Sequence, residues 1–194
     1  MSDDFKEDGA VSLPGFSIED EEAACVPTFS IEAEDILVWR LLYGLFQMPY
    51  SHAGFYVDLG AFDPIRHSNT YAFYRRGWRG INVEPNPQAV ERFRSLRPRD
   101  VNLNVAIGQD GRTGQYVLFD EPLLNGFLEP DMIERHRSQG RQVLATQDIA
   151  FYSINTILAR HVPDGVAVDY LNIDVETMEK AFWQSGISGA GGHW

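Results

Sequence analysis

The sequence has one cysteine, Cys25, and five scattered histidines. A single cysteine cannot form an internal disulfide, so the fold does not rely on an oxidising compartment, and the cytoplasm is the expected location. The same counts provide no Cys and His spacing of the zinc type.

Long hydrophobic runs are also absent. The most apolar stretch, residues 36–46, is too short to cross a bilayer and is interrupted by Arg40. No basic segment precedes an apolar one at the N-terminus, as a secretory signal requires. Apolar residues still make up 44% of the 194 residues and aromatic ones 12%, enough to bury the core of one domain.

Positive charge is scarce: 16 Lys and Arg stand against 28 Asp and Glu, for a formal charge of −12. Nonspecific binding of nucleic acids or anionic membranes needs Lys and Arg to neutralise phosphate, so neither partner is expected. The stretch NTYAFYRRGWRG, residues 69–80, mixes aromatic and basic side chains. Without a wider basic footprint, we interpret it as helix packing followed by a turn.

The negative charge is concentrated at the N-terminus. Residues 1–35 hold eleven Asp and Glu against the single Lys6. Because residues 1–29 mix these acids with Gly, Pro and Ser and show no sustained period, they are expected to form an acidic, loosely ordered leader. A solvated arm is favoured over a binding arm. Residues 30–194 are then the folded domain.

Short apolar runs alternate with helical stretches after Pro49, a pattern typical of an α/β fold with a mostly parallel sheet and flanking helices. Strands are expected at residues 54–59, 80–84, 101–107, 115–119 and 166–176, with a further one within 141–151. The last reads as a strand of the buried type. Residues 120–142 are polar and irregular and suggest an insertion or lid, although a structureless surface loop is the favoured alternative.

Capping residues predict the helices. A first helix is expected from Ser30 as N-cap to residue 46, ended by Pro49, with a buried stripe formed by Ile36, Trp39, Leu42 and Phe46. Further helices are expected at 69–76, capped by Ser68 or Asn69 and stopped by Gly77, at 86–97 with Asn86 as cap, and after Ser153.

Two of the predicted strands end in carboxylates. Asp58 ends the first strand and Glu84 ends the second. In a βαβ unit, the loop after the first strand approaches the ligand, and an acidic residue ending the second accepts hydrogen bonds from a ribose. This spacing predicts a nucleoside cofactor. Taken singly, Asp58 reads equally well as a cap and Glu84 as a turn carboxylate.

The loop after the first strand discriminates between cofactors. A dinucleotide needs G-x-G-x-x-G, but the later glycine positions hold Phe62 and Ile65, and Asp63 would repel phosphate. S-adenosylmethionine (SAM) has no phosphate and presents an ammonium and a sulfonium, which suits a loop with Gly60, Asp58 and Asp63. The alternative reading of Asp63 is a charge at a helix N-terminus.

Two segments, FYVDLGAFDPIRHSNTYAFYRRGWRGINVEPNP and INTILARHVPDGVAVDYLNIDVE, together resemble the FkbM-type class I methyltransferases. That resemblance, over residues 30–180, implies a SAM-dependent O-methyltransferase of Rossmann-like fold acting on a hydroxyl of a sugar, polyketide or similar metabolite. By motif position it also implies three groups of cofactor contacts. They are Asp58, Gly60, Ala61, Ser68 and Asn69 for the methionine end, Glu84 and Asn86 for the ribose, and Asn104 to Ala106 for the adenine.

The last predicted strand carries two further carboxylates, Asp174 and Glu176, at its carboxyl end. Residues at i and i+2 of a strand share one side, so one carboxylate can accept the acceptor's proton while the other orients it. We predict Asp174 as the base. A divalent cation held by both is a weaker option, and a helix-capping role is an equal alternative for either alone.

The chain departs from the family pattern near its end. Thr177 stands where the pattern has glycine, and 18 residues follow Glu176. A complete class I sheet has three more strands here, so the C-terminal strands are expected to be missing and the exposed edges to favour self-association. Three hypotheses follow: an active methyltransferase, an inactive SAM-binding relative that acts as a binding module, and, disfavoured by the loop composition, a nicotinamide-dependent oxidoreductase.

Overall fold

Four of the five residues of the first strand after the N-terminal helix are apolar, the fifth is Asp58, and all five are buried. A strand buried on both faces belongs to a sheet covered by helices on both sides. The computed structural model describes residues 28–175 and shows that mixed α/β arrangement. The strands are β1 Phe55–Leu59, β2 Arg79–Val83, β3 Val101–Leu103, β4 Ala106–Ile107, β5 Thr113–Phe119, β6 Val143–Tyr152 and β7 Tyr170–Ile173. The α-helices are α1 Glu34–Trp39, α2 Tyr71–Arg75, α3 Pro87–Leu96, α4 Pro130–Ser138 and α5 Ile154–His161.

The main sheet has the order β3-β2-β1-β7, and every neighbouring pair is parallel. Asp58 lies between Asn82 of β2 and Asn172 of β7 in the register. The carboxyl ends of the four strands therefore meet at one edge, as the α/β prediction requires. This is the architecture of a Rossmann-like methyltransferase fold, with apolar clusters on both faces of the sheet.

The predicted strand 101–107 is wrong as a single element. It divides into β3, which pairs with β2, and β4, which pairs with β6 in a second sheet of order β4-β6-β5. Asn104 lies at the break, and its amide donates to the carbonyls of Glu84, at 3.1 Å, and Pro85, at 2.8 Å. These bonds anchor the chain where it turns from one sheet to the other.

The segment between β5 and β6 is not a structureless loop. Strands β5 and β6 form an antiparallel pair, and the connection between them contains a 3-10 turn, Pro122–Leu124, and helix α4. Pro130 occupies the first turn of α4, where its missing N–H costs nothing, and basic side chains occupy the last turn. The favoured interpretation of residues 120–142 as a structureless surface loop is therefore wrong, and the insertion or lid stays a prediction.

The first helix begins later than predicted, at Glu34 with Ala33 as its N-cap. The Ser30 hydroxyl instead donates to the buried Asp35 carboxylate at 2.8 Å. A π-helical turn, Arg40–Leu45, continues α1 and adds residues per turn, which rotates the buried face. Phe46 is consequently 68% exposed rather than part of the predicted stripe.

The caps of α3 and α5 are where the sequence predicted them. The Asn86 side chain accepts from the N–H of Gln88 at the start of α3, and Ser153 accepts from Thr156 at the start of α5. The cap predicted for α2 is wrong, because its N-cap is Thr70 rather than Ser68 or Asn69. Gly77, whose φ of +90° few other residues adopt, follows the end of α2 at Arg75. No helix within residues 28–175 is long and apolar enough to cross a membrane.

The prediction that the last strand is buried was wrong. Within residues 28–175, β7 pairs only with β1, and Leu171 and Ile173 remain 41% and 43% exposed. The described residues do not include Glu176 and cover only the last two residues of the acidic leader. The prediction that C-terminal strands are missing also concerns a part of the chain outside them.

Candidate functional site

A cavity of about 280 Å³ opens at the carboxyl ends of β1, β2 and β7. This edge is where open α/β sheets bind ligands. Residues 122–128 of the β5–β6 connection form part of its wall. Eight of the sequence-predicted site residues line it: Asp58, Gly60, Ala61, Asn69, Glu84, Asn86, Ala106 and Asp174.

Glu84 joins the two loops that follow β1 and β2. One carboxylate oxygen accepts from the N–H of Phe62 at 2.9 Å, and the other accepts from the N–H of Asn86 at 2.8 Å. The side chain is almost fully buried, and this burial raises the pKa of Glu84 to about 7 despite the two hydrogen bonds, which lower it. The carboxylate is thus oriented before any ligand arrives.

Asp58 is buried at the centre of the edge, 1% exposed. Its Oδ2 accepts from the hydroxyl of Thr70 at 2.6 Å, and its Oδ1 accepts from the amide of Asn172 at 2.9 Å. Burial raises the pKa of Asp58, while these two hydrogen bonds and the charge of Arg97 act against that rise. Asp58 and Glu84 line the same cavity, so the carboxylates ending the first two strands do come together.

Gly60 is required by the neighbouring strand as well as by the turn. Its φ is +83°, and a Cβ built on it would lie 1.9 Å from the carbonyl oxygen of Asp174. The N–H groups of Gly60 and Ala61 both donate to the carbonyl of Val83. The close backbone approach that the sequence assigned to a ligand is therefore made by the chain leaving β7.

Three predicted cofactor residues do not line the cavity. Asp63 accepts from the N–H groups of Ile65 and Arg66, both at 2.9 Å, and forms an ion pair with Arg92. Ser68 is 1% exposed within a buried network, and Asn104 holds the chain between β3 and β4. The structure gives all three supporting roles, and for Asp63 the alternative of a charge at a helix N-terminus is also wrong, because residues 61–70 form turns and bends and no helix begins there.

Asp174 is exposed and lines the cavity, while its N–H donates to the carbonyl of Leu59 at 2.8 Å. Its predicted partner, Glu176, lies outside the described residues, so the cation that the pair was expected to hold stays untested. Among residues 28–175, no group of three or more His, Cys, Asp or Glu side chains is arranged to hold a metal ion.

Sequence reasoning missed several lining residues. Phe62 and His67 both have positive φ, and their rings stack 6.2 Å apart beside the cavity. Non-glycine residues rarely adopt this conformation, and no sequence signal marked them. Phe127 and Leu128 come from the segment that was noted as a possible lid, which was the available signal.

The charge of the cavity has one sign. Its lining includes the carboxylates of Asp58, Glu84 and Asp174, whereas no Lys or Arg among residues 28–175 lines it. A partly buried site of this kind favours a ligand that carries positive charge and hydrogen-bond donors, and it disfavours phosphate. The apolar wall supplied by Val105, Phe127 and their neighbours provides a surface for a planar ring.

Comparison with known families gives one match that covers well over half of the chain. The family described as the methyltransferase FkbM domain matches residues 58–188. The match begins at Asp58 and includes the loop after β1, Glu84 and Asp174, and thus the carboxylates of the cavity. No curated protein and no solved structure matches the chain.

Proposed function

Because the chain belongs to the FkbM methyltransferase family, we propose that its cavity binds SAM and that it methylates a hydroxyl of a small metabolite such as a sugar or polyketide. The observation that carries this proposal is the cavity lined by three carboxylates and by no Lys or Arg of the described residues. A dinucleotide would bring a pyrophosphate into that field, whereas SAM brings an ammonium and a sulfonium.

The residues present fit such a cofactor. Each carboxylate oxygen of Glu84 accepts one backbone N–H and keeps a further lone pair for a ribose hydroxyl. Asp58, Gly60, Ala61 and Asn69 line the part of the cavity next to β7, which we assign to the methionine end. The apolar wall near Ala106 then accommodates the adenine.

SAM, when bound, supplies an electrophilic methyl group, and the contribution of the chain is to position an acceptor oxygen in line with it. Asp174 is the cavity carboxylate that remains exposed. We assign it as the base that would accept the hydroxyl proton of the acceptor as the O–C bond forms and the bond between methyl and sulfur breaks, which would leave the neutral thioether S-adenosylhomocysteine. The wall formed by Phe127 and Leu128 limits water at the cavity.

Calorimetric titration of SAM into the full chain tests the cofactor assignment. Substituting Glu84→Ala removes the ribose acceptor, so we expect the dissociation constant to rise about tenfold to a hundredfold. The matched control is Glu91→Ala, which removes an exposed carboxylate on α3 whose ion-pair partner within residues 28–175 is Arg94. Equal affinities of the Glu84 variant and the unaltered chain would overturn the assignment.

Transfer of a radiolabelled methyl group to a panel of hydroxylated metabolites tests the activity. Label in at least one acceptor supports the methyltransferase, with O-methylation checked by mass spectrometry. SAM binding without transfer to any acceptor would favour the inactive binding relative. Binding of a nicotinamide dinucleotide in place of SAM would overturn the proposal in favour of an oxidoreductase.

A further inference from the structure

Arg97 and Thr70 form a hydrogen-bond relay of fixed direction that ends on Asp58. The guanidinium of Arg97 is fully buried, and its Nη2 lies 3.0 Å from the hydroxyl oxygen of Thr70. Arginine has donors and no acceptor, so the Thr70 oxygen must accept this bond. The single hydroxyl proton of Thr70 is then directed to Asp58 Oδ2, 2.6 Å away.

A second relay ends on the other oxygen of Asp58. Asn69 Nδ2 donates to Asn172 Oδ1 at 3.2 Å, and Asn172 Nδ2 donates to Asp58 Oδ1 at 2.9 Å. The hydroxyl of Tyr170 also approaches Asn172 Oδ1, at 3.5 Å. These contacts orient the Asn172 amide, so both oxygens of Asp58 act as acceptors. Protonation would turn one oxygen of Asp58 into a donor that faces the donor of Thr70 or Asn172, and the hydrogen bond at that oxygen would be lost.

Arg97 is itself held by three other groups. Its Nε donates to Asp100 at 2.8 Å, its Nη1 to the Ser68 hydroxyl at 3.3 Å, and its Nη2 also to the Tyr56 hydroxyl at 2.7 Å. The consecutive residues Ser68, Asn69 and Thr70 thus each take part in the support of Asp58. Ser68 and Thr70 are 1% and 0% exposed and do not line the cavity.

We propose that the Ser68-Asn69-Thr70 triplet, locked by Arg97, is a positioning unit that holds Asp58 as an oriented anion for the cationic end of the cofactor. The inference rests on the proposed SAM site and assigns Ser68 and Thr70 a role different from direct cofactor binding, whereas Asn69 also lines the cavity. Asp58 makes the contact with the ligand, and Thr70 acts through Asp58.

The charges around Asp58 show why such support is needed. Arg97 is the cation that acts on it, whereas Glu84 and Asp174 are carboxylates on the same cavity and Tyr170 is a buried phenol on β7. Burial and the charge of Asp174 favour the neutral acid, and the bonds from Thr70 and Asn172 favour the anion. Removing the Thr70 hydroxyl therefore shifts Asp58 towards its neutral, uncharged form.

The test is calorimetric titration of the full-length Thr70→Val variant, which keeps the shape of the side chain and removes its hydroxyl. Two ligands are compared: SAM, and 5′-deoxy-5′-methylthioadenosine, which lacks the amino-acid portion and the positive charge. We expect SAM to bind about tenfold more weakly and methylthioadenosine to bind as in the unaltered chain. Thr70→Ser, which restores the hydroxyl, should restore SAM affinity.

Thr156→Val is the matched control. Thr156 also donates its hydroxyl to a carboxylate, that of Asp110 at 2.7 Å, but this pair caps α5 and does not line the cavity. The Thr156→Val variant also removes a hydrogen bond from a threonine hydroxyl to a carboxylate, but away from the cavity. We therefore expect unchanged affinity for both ligands. Thermal unfolding of each variant verifies that the chain is folded, and Thr70→Ala replaces Thr70→Val if the latter is not.

A double-mutant cycle with Asp58→Asn separates positioning from a general loss of structure. Once Asp58 is neutral, removing the Thr70 hydroxyl should change SAM affinity by less than about twofold. An undiminished effect of Thr70→Val in that background, an equal loss for both ligands, or no loss at all overturns the inference. If the unaltered chain binds no SAM, the proposed function fails; if it binds SAM and Thr70→Val binds equally well, only the positioning role fails.

Discussion

Gly60 carries two constraints in one residue, a positive φ and a missing Cβ. We predict that Gly60→Ala lowers the free energy of unfolding by at least about 3 kcal/mol, because the left-handed conformation and the contact with the Asp174 carbonyl both oppose a side chain. Urea unfolding followed by circular dichroism measures it.

Gly111→Ala is the control for that prediction, since Gly111 has a φ of +79° and open space around it. It should cost only the conformational part, about 1 kcal/mol. Similar losses at the two glycines would show that the contact with Asp174 is unimportant.

At the scale of single residues, the sequence predicted where a side chain lies in the fold better than it predicted which other residues contact it. Glu84 and Asp58 were found because a strand end is visible in the pattern and an acidic residue there has a known use. Asp63 was assigned to the cofactor because its neighbour in space, Arg92, is far along the chain and α3 had to be placed before the ion pair was visible. Thr70, which contacts Asp58, drew no assignment because hydroxyl partners leave no pattern in a sequence.

The N-terminal segment depends on Asp35. Its carboxylate accepts from the Thr28 and Ser30 hydroxyls and from the N–H of Phe29, and the Phe29 carbonyl in turn accepts from the N–H of Ser68. We predict that Asp35→Ala lowers the free energy of unfolding by about 2 to 4 kcal/mol, because one buried donor and two partly buried ones lose their acceptor together.

Glu34→Ala is the control for the Asp35 prediction, because Glu34 is next in the chain and its carboxylate accepts from the exposed N–H of Glu32. We expect it to cost less than about 1 kcal/mol. Chemical denaturation compares the two, and hydrogen exchange at residues 28–37 shows whether the loss is local. Equal effects of both substitutions would contradict the role of Asp35.

Elements were predicted where local signals suffice. The Asn86 cap with Pro87 defines the start of α3, and Ser153 defines that of α5. Strand 101–107 looked continuous because apolar and polar residues alternate from Val101 to Val105, whereas the division at Asn104 depends on carbonyls 19 and 20 residues away. The π-helical turn after α1 was not predicted either, because a helical stripe in the sequence assumes the same number of residues in every turn.

The whole molecule should lose stability as the pH rises through the range in which Glu84 titrates. The pKa of Glu84 rises on folding from an ordinary 4.5 to about 7. Between these values the folded chain holds a proton that the unfolded chain releases, so the free energy of unfolding falls, and below 4.5 the contribution is complete. The expected change is about 3 kcal/mol.

Denaturation curves of the ligand-free chain between pH 4 and pH 8, compared with those of Glu84→Gln, isolate this contribution. Asp58 shifts in the same direction and Glu34 in the opposite one, and both are common to the two proteins. The difference between the proteins should therefore follow Glu84 alone. A difference that stays constant with pH would contradict the raised pKa.

The parallel sheet and its covering helices were predictable at this scale because alternating apolar runs and helices leave few other arrangements. The antiparallel pairing of β5 with β6, and the position of their connection beside the site, were not predictable. Such pairing depends on the register between two strands, which the sequence pattern does not show. Self-association stays a prediction. Within residues 28–175, β7 has an unpaired side and two partly exposed apolar residues there.

The contact between Gly60 and the chain leaving β7 constrains how the candidate site can be redesigned. The backbone of Asp174, the candidate base, lies directly against Gly60 in the loop assigned to the cofactor. There is no space for a side chain between them. A substitution that moves Asp174 to accept a bulkier acceptor would disturb cofactor affinity at the same time. The wall at residues 122–128 lies in the connection between β5 and β6, outside the main sheet, which makes it the better place to broaden acceptor scope.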